Sequence, residues 1–196
     1  MDASDTKAVL HRYLRVAREA ILWKLDGLCE YDVRRPMTPT GTNLLGLVKH
    51  LAGVEMGYFG DTFGRPVDDP PPWLADDSDP TIDLWAAADE SRHDILRLYA
   101  RATAHADTTI DVLALQDTGR VPWWPQERAT VTLHQILVHV TTETHRHAGH
   151  ADIVRELIDG AVGLRPDNDN MAYEDPDAWS TYRAQLEQAA RGAGGL

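Results

Sequence analysis

The stretch TLHQILVHVTTETHRHAGHADIVRELIDG, Thr132 to Gly160, decides how the chain is read. Its apolar residues recur at three- and four-residue spacing, which predicts one long helix from about Thr132 to Asp159. Gly160 is the residue type that closes a helix in the left-handed conformation. At about 100° per residue, Leu133, Ile136, Val140, Ala151, Val154 and Ile158 fall in one arc, the face a packed helix buries. His147 falls inside that arc and Glu143 on its border. His139 and His150 lie a little further out on the same side, while His134 and His145 point the other way.

The same periodicity extends upstream. Val9, Tyr13, Val16, Ala17, Ala20, Leu25 and Leu28 predict a helix over 6–28, with Asp5 as its N-cap. The turn formers of RRPMTPTGTN predict a loop. A second helix is expected from Asn43, striped by Leu44, Leu47, Leu51, Val54 and Tyr58 and stopping near Gly64. VDDPPPWLADDSDP, 67–80, has too many prolines for regular structure, and its acidic run Asp76 to Asp79 reads as a solvated loop. A third helix is expected over 81–104, then an extended connection over 107–128 with no strand pair. The Thr132 helix is the fourth. A short last helix, Pro176 to Arg191, precedes a frayed RGAGGL tail. This is an all-α helical bundle, and no shift in composition divides 1–196 into more than one domain.

Composition narrows the function classes. A net charge of −12 argues against nucleic acid and anionic membrane surfaces as partners, since both need clustered basic residues. The N-terminal residues are polar, and no run of about 18 apolar residues could span a bilayer. Cys29 is the only cysteine, so no disulfide forms within the chain and a reducing compartment fits. The expectation is a cytoplasmic protein acting on a small molecule. Cys29 itself reads as a small buried hydrophobe.

A carboxylate facing a bundle core is costly unless neutralised. Glu143 and His147 are one helical turn apart and can converge on one cation. His50 lies on or beside the stripe of the second helix and would supply a third ligand. Two imidazoles and one carboxylate leave coordination positions open, the pattern of a catalytic rather than a structural site. From His139 to His150 the helix rises about 16 Å, and metal bonds are about 2 Å, so the whole cluster cannot share one ion. His139 and His150 would then support the ligands from behind or line the pocket. Two bland alternatives stay open: His50 as a satisfied core histidine, and Glu143 paired with a buried arginine. Trp73, Trp123 and Trp124 lie near proline-rich loops and are read as covers of the bundle ends, with a pocket wall as the alternative.

Two long motifs carry a resemblance. PTGTNLLGLVKHLAGVEMGYFGDTFG and VTLHQILVHVTTETHRHAGHADIVRELIDG, 39–64 and 131–160, resemble the DinB-like superfamily. The likeness is strongest to its actinobacterial branch, which includes a domain of unknown function and mycothiol S-transferase-like proteins. That branch is related to the mycothiol-dependent maleylpyruvate isomerase. The resemblance implies a four-helix bundle ordered up-up-down-down, here with a short extra C-terminal helix, often in a homodimer. It implies a divalent metal held by three side chains. Aligning HAGH places these ligands on His50, Glu143 and His147, which agrees with the wheel. The chain departs from the branch at Thr142, where relatives carry an acid, and at His145, where they carry a small residue. Neither is a proposed ligand.

The resemblance implies a metal-dependent transferase or isomerase that activates a low-molecular-weight thiol, mycothiol or a similar one, as metal-bound thiolate. Zinc is the default ion for the donor set, and nickel, manganese or iron would fit. Whether the chain is an enzyme stays open. The alternatives are a hydrolase using metal-bound water, with His139 or His150 shuttling protons, and a non-catalytic metal- or small-molecule-binding stress-response protein. The ligand set also describes non-haem iron oxygenases, though nothing else in the sequence favours them. No residue can be assigned to thiol recognition or catalysis.

Overall fold

The structure, a computed structural model, describes residues 3–75 and 79–195. Asp76, Asp77 and Ser78 of the expected acidic loop lie outside the described residues. The chain divides into two compact units, Met1–Ala161 and Val162–Leu196.

The first unit holds the long helices α1 (Ala3–Trp23), α3 (Leu44–Phe59), α4 (Arg92–Val112) and α5 (Leu133–Asp159), with a short α2 (Glu30–Arg34). α1 begins two residues before the expected cap. Asp5 therefore sits in the first turn, where its charge favours the helix dipole. α3 is capped by Asn43, whose side chain accepts from Gly46 N at 2.7 Å. It is buried almost all round, as befits a helix with neighbours on most sides. α5 has the predicted bounds: Thr132 accepts from Gln135 N, and Gly160 closes the helix at φ 80°.

Two expectations for the middle of the chain are corrected. The third helix starts at Arg92, not Thr81, because Ser91 caps it by accepting from Asp94 N at 3.0 Å. Residues 81–90 form turns pinned to α3: Asn43 donates to the Leu84 carbonyl at 3.0 Å, and Lys49 bonds the Trp85 carbonyl and Glu90. The helix then continues to Val112, since the stripe Ile95, Tyr99, Ala102, Ala106, Ile110 runs on without a breaker. The second correction is a small antiparallel pair, β1 (Thr118–Arg120) and β2 (Thr130–Thr132), with Gly119 opposite Val131. Strands this short carry too little alternation to register in sequence.

The helix directions follow from contacts at the ends. Lys7 donates to the carbonyls of Ile110, Asp111 and Leu113, and Arg92 to those of Leu25 and Leu28, so α1 and α4 are antiparallel. Arg155 of α5 donates to the Lys24 carbonyl at 2.9 Å, so α1 and α5 end together. His50 meets His147 while Tyr58 meets His139, so α3 and α5 are antiparallel. The helical bundle is as expected, but its order is up, down, down, up rather than up-up-down-down. The long connection over 60–91 returns the chain to the end where α3 began. α3 and α4 can therefore run parallel.

The core has two apolar clusters. One gathers Ile21, Leu25, Leu44, Val48, Leu51, Met56 and Tyr99, and the other Leu14, Phe59, Ile110, Val131, Leu137 and Val140. Among them lies a buried ion pair, Arg18 to Glu55, with both contacts at 2.7 Å. Cys29 is exposed rather than buried. It precedes α2, and its Sγ donates to Asp32 at 3.1 Å.

The second unit consists of turns and α6 (Pro176–Gly194), three residues longer than expected. Asp175 caps it and Pro176 occupies its first turn, which suits a residue without an N–H. Trp179 stands edge-on to Tyr173 and Tyr182, which are tilted against each other. Among the described residues, no helix is long and apolar enough to cross a membrane.

Candidate metal centre

α3 and α5 cross with His50 facing the turn that holds Glu143 and His147. Side chains four residues apart on a helix lie over one another. His147 Nε2 and Glu143 Oε1 are accordingly 3.0 Å apart. His50 Nε2 approaches the same Oε1 at 3.7 Å, and the imidazoles are edge-to-face at 4.9 Å. One donor atom from each residue lies within 4.8 Å of the others. Bonds of about 2 Å at tetrahedral angles need donors about 3.3 Å apart, so small side-chain rotations would suffice for one ion. The three side chains are 15–32 % exposed, enough to leave a coordination position reachable. The ion-pair partners of Glu143 among the described residues are the two histidines, not an arginine.

His50 is aimed by a residue that sequence reasoning missed. Asp83 Oδ2 lies 2.7 Å from His50 Nδ1. With Nδ1–H donating to the carboxylate, the Nε2 lone pair points at Glu143 and His147, the tautomer a ligand needs. Asp83 falls in a segment expected as helix, and no motif marks it. Only the pinning of the 81–90 turns against α3 brings it to His50.

Charge is distributed unevenly. Burial would lower the pKa of His50, but the hydrogen bond and charge of Asp83, aided by Glu143, hold it above the ordinary histidine value. Burial and the neighbouring His50 push His147 below it, against the pull of Glu143. Burial opposes ionisation of Glu143, yet the two histidines hold it below the ordinary glutamate value. A carboxylate ionised beside at least one neutral imidazole suits a divalent cation.

The flanking histidines part company. His139 lines a cavity of about 660 Å³ that opens beside His50 and Glu143. His150 does not line it, and its Nδ1 lies 3.4 Å from His147 Nδ1. His134 and His145 are exposed, as the wheel predicts. Trp123, read from sequence as an end cover, is a wall of this cavity. Trp124 stands behind it, donating to Tyr58 Oη at 3.2 Å.

The family model described as Mycothiol-S-transferase matches residues 9–160, from within α1 to the glycine that closes α5. No match is found among the curated proteins, and none among the solved structures.

Proposed function

The chain belongs to the mycothiol S-transferase family, a DinB-like branch, and from that premise we propose that it joins the sulfur of a low-molecular-weight thiol, mycothiol or a close analogue, to an electrophilic carbon. One observation carries the reading: the donor atoms of His50, Glu143 and His147 converge beside an open cavity, among them a single carboxylate. A divalent ion held there, zinc by preference for two imidazoles and a carboxylate, would lower the pKa of a thiol that reached it.

The chain's own residues do the rest. Asp83 keeps His50 in the tautomer whose Nε2 faces the site. Glu143 adds one negative charge, so a divalent ion keeps a net positive charge toward the incoming sulfur. The cavity brings the second substrate alongside His50 and Glu143. The sulfur forms the new S–C bond. The displaced electron pair leaves with the departing group or enters the substrate's activating group, and the thiol proton passes to solvent.

The test is conjugation of mycothiol to a model electrophile, with metal content measured on the same protein. Activity lost in His147→Ala together with the metal supports the reading. Hydrolysis of esters or amides without thiol would replace it by hydrolytic chemistry. Protein that resists loading with every divalent metal would overturn the metal site.

A further inference from the structure

The cavity beside the three-residue cluster is more aromatic than a thiol alone requires. One of its walls rests on a glycine of α3. Gly57 seats the indole of Trp123: a Cβ added there would meet ring Cη2 at 2.7 Å. Trp123 is held edge-on by Tyr58 at 5.1 Å, yet 51 % of it remains exposed. A half-exposed indole fixed in a cavity offers its ring to a flat apolar body. Val54, Leu74 and Pro122 extend that apolar surface.

Two residues with polar groups, Tyr58 and His139, line the same space. Tyr58 Oη accepts from Trp124 Nε1, which leaves its own O–H to donate. His139 is wedged between Tyr58 and Trp124, at 4.7 and 5.2 Å between ring centres. Neither of its ring nitrogens has a hydrogen-bond partner among the described residues.

We propose that the second substrate is an aryl electrophile, its ring against Trp123 and its activating carbonyl or nitro oxygen accepting from Tyr58 and His139. The proposal rests on the thiol-transfer reading of the same site and names the chemistry of its partner substrate.

Binding can be measured without thiol or metal. The full-length, metal-free protein is titrated with acetophenone and cyclohexyl methyl ketone, following the indole N–H signals by NMR, with that of Trp123 assigned from Trp123→Ala. Acetophenone is expected to shift the Trp123 signal and to bind about fivefold more tightly than cyclohexyl methyl ketone. Trp123→Ala should lose that preference, and Trp123→Phe should keep most of it. Equal binding of the two ketones by the unaltered protein overturns the proposal, and that result does not depend on a variant folding. The expected ranking without thiol conjugation would sink the transferase reading and leave the aryl site standing.

Discussion

Asp83 Oδ2 and His50 Nδ1 meet at 2.7 Å across 33 residues of chain. The contact gives His50 a defined tautomer and orientation, and it depends on turns that α3 holds in place. Asp83→Asn or Asp83→Ala should weaken zinc binding by about 10- to 100-fold, the usual cost of removing a carboxylate behind a metal-ligating histidine. Competition against a chromogenic chelator measures it, and circular dichroism checks that the helices persist. Unchanged affinity would show that His50 is oriented by other means.

Gly46 tests how the turn is held. A Cβ there would collide with the backbone carbonyl of Leu84, the neighbour of Asp83. A backbone atom cannot swing aside as a side chain can. Gly46→Ala should cost about 1–3 kcal/mol of stability, as overpacking does, and should weaken metal binding in parallel by moving Asp83. Gly57→Ala differs, because it meets the half-exposed ring of Trp123. There we expect altered tryptophan fluorescence with a smaller stability change in urea denaturation.

The imidazoles of His50 and His147 should titrate in opposite directions in metal-free protein. Ring-proton NMR should place His50 above the ordinary value of about 6.5 and His147 below it. The contribution of His50 to stability is complete below about pH 6.5 and is lost as pH rises through its raised folded value. For His147 the unfolded chain binds the proton more readily. Stability therefore falls as pH drops below about 6.5 toward its depressed folded value. In Asp83→Asn the upward displacement of His50 should shrink. The reverse order of titration would refute this electrostatic picture.

The buried pair of Arg18 and Glu55 serves the fold rather than the site. Glu55 is 0 % exposed and Arg18 5 %, and Arg18 also bonds Asp107 at 2.6 Å. Glu55→Ala leaves a buried guanidinium partly uncompensated, so we expect a loss of about 3–5 kcal/mol. Replacing both members by apolar residues, Arg18→Met with Glu55→Leu, should cost less. Urea denaturation of the single and double variants separates the outcomes, and a double variant worse than Glu55→Ala would mean that the pair stabilises beyond mutual neutralisation.

What the sequence could settle was local. A helix repeats every 3.6 residues, so spacing alone set the bounds of α5, its buried face, and the pairing of Glu143 with His147 one turn on. His134 and His145 were placed outward by the same rule. His50 could be suspected, because a histidine beside an apolar stripe faces the interior. Periodicity carries no sign of direction, so the order of the helices needed contacts between their ends. Nor does it reach across loops. Asp83 meets His50, Trp123 settles on Gly57, and His139 parts from His150 only because distant segments pack together. These through-space contacts depend on which glycine leaves room for a ring and on which side chains pin a turn. They therefore belong to the tertiary structure.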